Sequence, residues 1–156
     1  MTPLKPRIWI ASAALIASAG ALAQQAPKPE QLIKWRQSTF QVLAWNTARV
    51  KAAVEGGGDA RQAAKAAAAI AAIANSDVLA LFPAGTESGK GWHDTTVKPE
   101  LFKDGDKVAA LNADFSRNAN ELARVAAAGD AAALKEQFGK LGKSCKSCHD
   151  DYRNTN

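Results

Sequence analysis

Methionine occurs once in these 156 residues, at Met1, while cysteine occurs twice, at Cys145 and Cys148, and histidine twice, at His93 and His149. Each scarcity excludes something. Two cysteines separated by two residues cannot tie distant segments together, so a multi-disulfide scaffold is out. A four-ligand zinc site would have to consume every cysteine and histidine in the chain. Strand-like alternation is nearly absent, which removes sheet folds. There is no basic run and no interleaving of aromatic with basic residues, so nucleic acid is excluded as a partner. Beyond position 23 only Pro27, Pro29, Pro83 and Pro99 remain, all outside the long periodic stretches.

Residues 1–23 read as a secretory signal. Lys5 and Arg7 form a positive start, Ile8 to Leu22 a mostly apolar stretch, and Ala21-Leu22-Ala23 a small-x-small cleavage site. An uncleaved anchor is the rival reading. However, the stretch is interrupted by Ser12, Ser18 and Gly20 and falls short of the roughly 20 residues a bilayer requires. Cleavage leaves residues 24–156 as one domain, with no membrane attachment and no methionine. Losing Lys5 and Arg7 leaves 18 basic against 15 acidic residues, a net charge of +3. Export through such a signal places the mature chain in the periplasm.

The mature stretch is rich in alanine with helical periodicity, which predicts an all-α fold. A first helix is expected from Pro29 to Glu55, with Leu32, Arg36, Phe40, Leu43, Thr47, Val50 and Val54 on one inward stripe. Pro29 suits a first turn, and Gly56-Gly57-Gly58 ends the helix. Asp59 caps a second helix reaching about Ala80, with Ala63, Ala67, Ile70, Ile73 and Val78 inward. Pro83 to Gly105 is a surface loop with one short turn near Pro99–Lys103. A third helix spans Asp106 to Ala128 with Val108, Leu111, Phe115, Ala119, Leu122 and Val125 inward; Gly129 stops it and Asp130 caps the fourth. There Leu134, Phe138, Leu141, Cys145, Cys148 and Tyr152 step by fours and threes along one face. Gly139 and Gly142 cost that helix about 1 kcal/mol each relative to alanine. Either a close neighbour requires them or they are simply tolerated. Together these elements make an antiparallel up-down-up-down four-helix bundle.

Cys145-Lys146-Ser147-Cys148-His149 is a C-x-x-C-H motif, the attachment pattern of c-type haem. Each thiol adds across one haem vinyl group, and the adjacent imidazole falls beneath the iron as its ligand. A plain disulfide gives His149 no role, and a thioredoxin-like motif would need a preceding strand. One covalent haem c per chain is therefore expected, held by Cys145 and Cys148 with His149 on the iron. It would also fill a core that alanine leaves thin. No methionine of the mature chain can supply a second ligand. His93 remains as an alternative sixth ligand, provided its loop folds over the haem; otherwise it is an exposed loop histidine. The expected iron is high-spin and five-coordinate.

The chain resembles the cytochrome c prime family, the class II c-type cytochromes, from about Pro29 to Arg153. Trp35-Arg36-Gln37-Ser38-Thr39-Phe40, Phe82-Pro83-Ala84-Gly85-Thr86 and Cys145 through Arg153 carry the resemblance. It implies that Phe40 covers the distal iron face, that Arg36 lies near a haem propionate, and that Arg153 sits beside the proximal face. It also implies a homodimer, usually through the first two helices. The long loop around His93 departs from the pattern. Without the resemblance, Phe40 is core packing and Arg153 complements a helix dipole.

Three functions follow as expectations. The first is a periplasmic haem protein that binds NO or CO and passes single electrons. The second is a diffusible electron carrier docking an acidic periplasmic redox partner through Lys140, Lys143 and Lys146, whose spacing equally suits a solvated face. An enzyme is not expected, since no distal histidine, acid–base pair or substrate cleft is readable.

Overall fold

A computed structural model describes residues 26–154, so the signal assigned to residues 1–23 lies outside the described residues. Four helices carry the fold: α1 (Pro29–Val54), α2 (Ala60–Ala74), α3 (Gly105–Ala128) and α4 (Ala131–Tyr152). Two 3₁₀ turns, Val78–Leu81 and Pro99–Phe102, interrupt the connection between α2 and α3. The expected four-helix bundle is the observed architecture. Among the described residues no helix is long and apolar enough to cross a membrane.

The helix ends follow from local chemistry. Pro29 occupies the first turn of α1. The Asp59 carboxylate accepts from the Gln62 amide, and that of Asp130 accepts from the amides of Ala132 and Ala133. Gly129 closes α3 in the left-handed conformation at φ 74°. Alanine sets the packing: Ala63, Ala66, Ala67, Ala71 and Ala74 of α2 are buried, which lets α2 lie close to both α1 and α3. By contrast, α1 meets α4 only sparsely. The bundle is thus closed tightly around α2 and α3 and loosely along the α1–α4 seam. No buried side-chain nitrogen or oxygen among the described residues lacks a hydrogen-bond partner.

Two expectations need correction. Helix α2 stops at Ala74 instead of continuing to Ala80. Asn75 leaves the helix and exchanges amide hydrogen bonds with Asn120 of α3, at 2.8 and 3.2 Å. Asp77 then takes a left-handed backbone at φ 56°, which turns Val78–Leu81 into a separate 3₁₀ segment. The buried stripe of α1 is also rotated. Ile33, Arg36, Leu43, Asn46 and Val50 face inward, whereas Leu32, Thr47 and Val54 are only half-buried and Phe40 is 37 % exposed. Ile33 is covered by the α2–α3 connection, which rides over α1 so closely that a Cβ on Gly91 would stand 2.9 Å from both Ile33 Cγ2 and the Lys34 amide nitrogen. No helical periodicity reports that cover.

Gly139 and Gly142 are exposed, and a Cβ on either meets nothing within 4 Å. The chain's own packing does not require them. Gly139→Ala is therefore expected to stabilise the fold by about 1 kcal/mol, read as a raised urea midpoint with unchanged slope; a lowered midpoint would show that the site needs glycine.

Candidate haem site

Helix α4 delivers the motif because its apolar face runs on into the two thiols. Leu141 and Tyr152 are buried on that face, with the half-buried Cys145 and Cys148 between them. Cys145 packs on the main core cluster, while Cys148 joins a second cluster of Leu101, Val108 and Tyr152. Burial pushes both thiols above their ordinary pKa. His149, next in sequence, is exposed. Partial burial and the positive charge of Arg153 lower its imidazole pKa, against a smaller opposing effect of Asp150.

The far end of α4 is clamped by the α2–α3 connection. The Lys98 amide donates to the Tyr152 carbonyl at 2.9 Å, the Asn154 amide donates to Thr96 at 2.8 Å, and Val97 bridges Arg153. The Tyr152 hydroxyl donates to Asp104 at 3.0 Å. These contacts fix the helix turn that carries His149. They also hold exposed Arg153 beside it.

Beside Cys148's cluster lies an open apolar cleft of about 240 Å³, lined by Leu79, Phe82, Ala84, Leu101, Phe102, Gly105 and Val108. Phe40 of α1 meets Phe82 edge-to-face, with ring centroids 6.2 Å apart. Arg36, one turn earlier, is only 4 % exposed and lies over the Phe82 ring, 4.5 Å from its centroid. Its guanidinium donates to the Leu81 carbonyl at 3.4 Å, to Thr86 Oγ1 at 3.2 Å, to the Thr86 carbonyl at 3.1 Å and to Thr95 Oγ1 at 2.8 Å. All four acceptors are neutral, and none of the ion pairs among the described residues involves Arg36. A buried cation without an anion is costly. The terminal N–H groups of Arg36 are satisfied by these oxygens, so what the site lacks is a counter-charge and not an acceptor.

The structure does not bring His93 to this site. It is exposed; its Nδ1 lies 2.8 Å from the Asp94 carbonyl and 3.3 Å from Gln37 Nε2, and Gln37 also donates to the His93 carbonyl at 2.9 Å. Trp92 strengthens the tether: its amide donates to Gln37 at 2.7 Å and its indole N–H to Ser38 at 2.9 Å. Among the described residues no three histidine, cysteine or carboxylate side chains cluster as a metal site. Thr95 escaped the sequence reading, and Thr86 entered it only within the 82–86 stretch and without a role, because neither lies on a periodic element. The one signal was Arg36 itself, an arginine on an inward stripe that needed acceptors from somewhere.

Paired thiols and a following imidazole on the last helix of a four-helix bundle, beside an apolar cleft, define a class II c-type haem protein. The model of the family described as Cytochrome C' matches residues 31–153, and the chain belongs to that family. It is 58 % identical over 127 residues to cytochrome c' of Rhodocyclus tenuis, covering 81 % of this chain and 96 % of that one. A solved cytochrome c' with ligand-controlled dimer dissociation is 43 % identical and superposes with a TM-score of 0.80, covering 83 % of this chain and 99 % of that one. Variants of cytochrome c prime from Alcaligenes xylosoxidans, 31–32 % identical with TM-scores of 0.74 and 0.72 over 85 % and 82 % of this chain and 100 % and 98 % of theirs, were solved with nitric oxide and with carbon monoxide bound. The cofactor of this chain is accordingly covalent haem c.

Proposed function

We propose that this chain is a periplasmic gas-binding haem protein whose iron has His149 as its sole protein ligand. Cys145 and Cys148 form the thioethers, Arg36 meets a propionate, Arg153 flanks the proximal side and Phe40 closes the distal side. Haem supplies the iron that binds a diatomic and exchanges single electrons. The observation that carries this reading is the composition of the distal surroundings. Phe40 and Phe82 are apolar, His93 is tethered to Gln37, and no methionine follows the signal. A pocket of this kind favours a small uncharged ligand such as NO or CO. On this reading the protein is a binder and electron carrier and not an enzyme.

The electron-carrier reading on its own loses part of its support. Lys140 pairs with Glu136 at 2.7 Å and Lys146 pairs with Asp150, so two of the three lysines expected to dock an acidic partner carry local counter-charges. Trp35, Val42 and Trp45, exposed at intervals of seven and three along α1, support the homodimer that the family resemblance implies.

The ferrous protein at neutral pH is expected to show a high-spin, five-coordinate spectrum that changes on adding CO; a low-spin, six-coordinate spectrum would contradict the single-ligand reading. Phe40→Ala removes an edge-to-face pair worth about 0.5–1.5 kcal/mol, which a ligand entering past Phe40 has to break. CO affinity should then rise by up to about tenfold. Unchanged affinity in a folded, haem-loaded variant would return Phe40 to ordinary packing.

A further inference from the structure

Arg36 has an unusual set of partners for a buried arginine. Its two terminal nitrogens use their four N–H groups on Leu81, Thr86 twice and Thr95, all of them uncharged oxygens. The acceptors are themselves oriented. Thr86 is 1 % exposed, and its hydroxyl donates to the Pro83 carbonyl at 2.8 Å, which leaves its lone pairs for Arg36. Thr95 Oγ1 accepts from Arg36 and, at 3.4 Å, from the Val97 amide, two residues along. The Thr95 amide is fixed in turn by the Gly89 carbonyl at 2.9 Å. Segments 81–86 and 89–97 therefore converge on one guanidinium. They hold it rigidly without discharging it.

We infer that Thr95, with Thr86, is a positioning residue that keeps Arg36 fixed and fully charged beside a haem propionate, and thereby favours the reduced iron. This rests on the haem reading above. The physical reason is simple. A positive charge that offsets the propionate in surroundings of low dielectric stabilises the redox state with one positive charge fewer, and neutral acceptors leave that charge to the propionate where a protein carboxylate would compete for it. Thr95 makes the shortest of the four hydrogen bonds and comes from the connection that also clamps α4 through Val97. Its replacement alters the surroundings of Arg36 while leaving α1 and the motif unchanged in sequence.

The test is a midpoint potential on the haem-loaded full chain, measured for Thr95→Val, Thr95→Ser and Thr95→Asp beside the parent. Thr95→Asp puts a carboxylate on the guanidinium and should shift the reduction equilibrium about tenfold toward the oxidised form, which is 59 mV for one electron. Thr95→Val should shift it in the same direction by roughly threefold, and Thr95→Ser should keep the parent potential. Should the valine variant fail to take up haem, the serine–aspartate comparison alone decides. Equal potentials for Thr95→Ser and Thr95→Asp would overturn the inference. If the parent binds no haem or is low-spin, the underlying reading fails instead, and its spectrum reports that separately.

Discussion

Helix α1 and helix α4 do not close on each other, and the rest of the structure is organised around that seam. The cause lies in the sequence. Five buried alanines draw α2 tightly against its neighbours, while α1 offers the seam an arginine and a half-exposed phenylalanine. Leucine at those two places would have given an ordinary core. Instead two half-buried thiols on α4 and a buried cation on α1 lie to either side of an apolar cleft that the α2–α3 connection and the start of α3 line, and no carboxylate of the chain pairs with that cation. On the proposed reading, a covalent tetrapyrrole with acidic side arms would bond the thiols, fill the cleft and meet the cation.

The α2–α3 connection carries more of this architecture than a linker usually does. It caps Ile33, grips Arg36 through Thr86 and Thr95, tethers His93 and Trp92 to α1, and pairs with residues 152–154 beyond the motif. One segment thus contacts both Arg36 and the end of α4 that bears the motif. Such an arrangement couples the position of the arginine to that of the helix end bearing His149. It also explains why a long, glycine-rich stretch can be well formed: Gly91 permits the close approach to α1, and the hydrogen bonds to Gln37 and Arg36 replace a hydrophobic core.

Much of this was legible in the amino-acid sequence, for identifiable reasons. Helix ends were marked by Asp59, Gly129 and Asp130, whose capping chemistry is local. The motif declared its own chemistry because thiol spacing and an adjacent imidazole are sufficient to specify it. The misreadings share a cause. Val78 to Leu81 continue an apolar pattern that suits either an α-helix or a 3₁₀ turn, and the break comes from Asn75 meeting Asn120 across the bundle. Ile33 is buried by a loop and Phe40 is left half-open by a helix that packs elsewhere. Threonines 86 and 95 matter through contacts 50 and 59 residues away in sequence. Periodicity cannot report such partners.

The central claim is that one haem is bonded to Cys145 and Cys148 in the α1–α4 seam of an exported chain. The most direct measurement is the intact mass of the protein from the producing cell, taken in denaturing acid and followed by fragmentation. The account predicts a chain beginning at Gln24 that retains the mass of one haem on a fragment containing both cysteines. A chain released without haem and bearing two free thiols would contradict it.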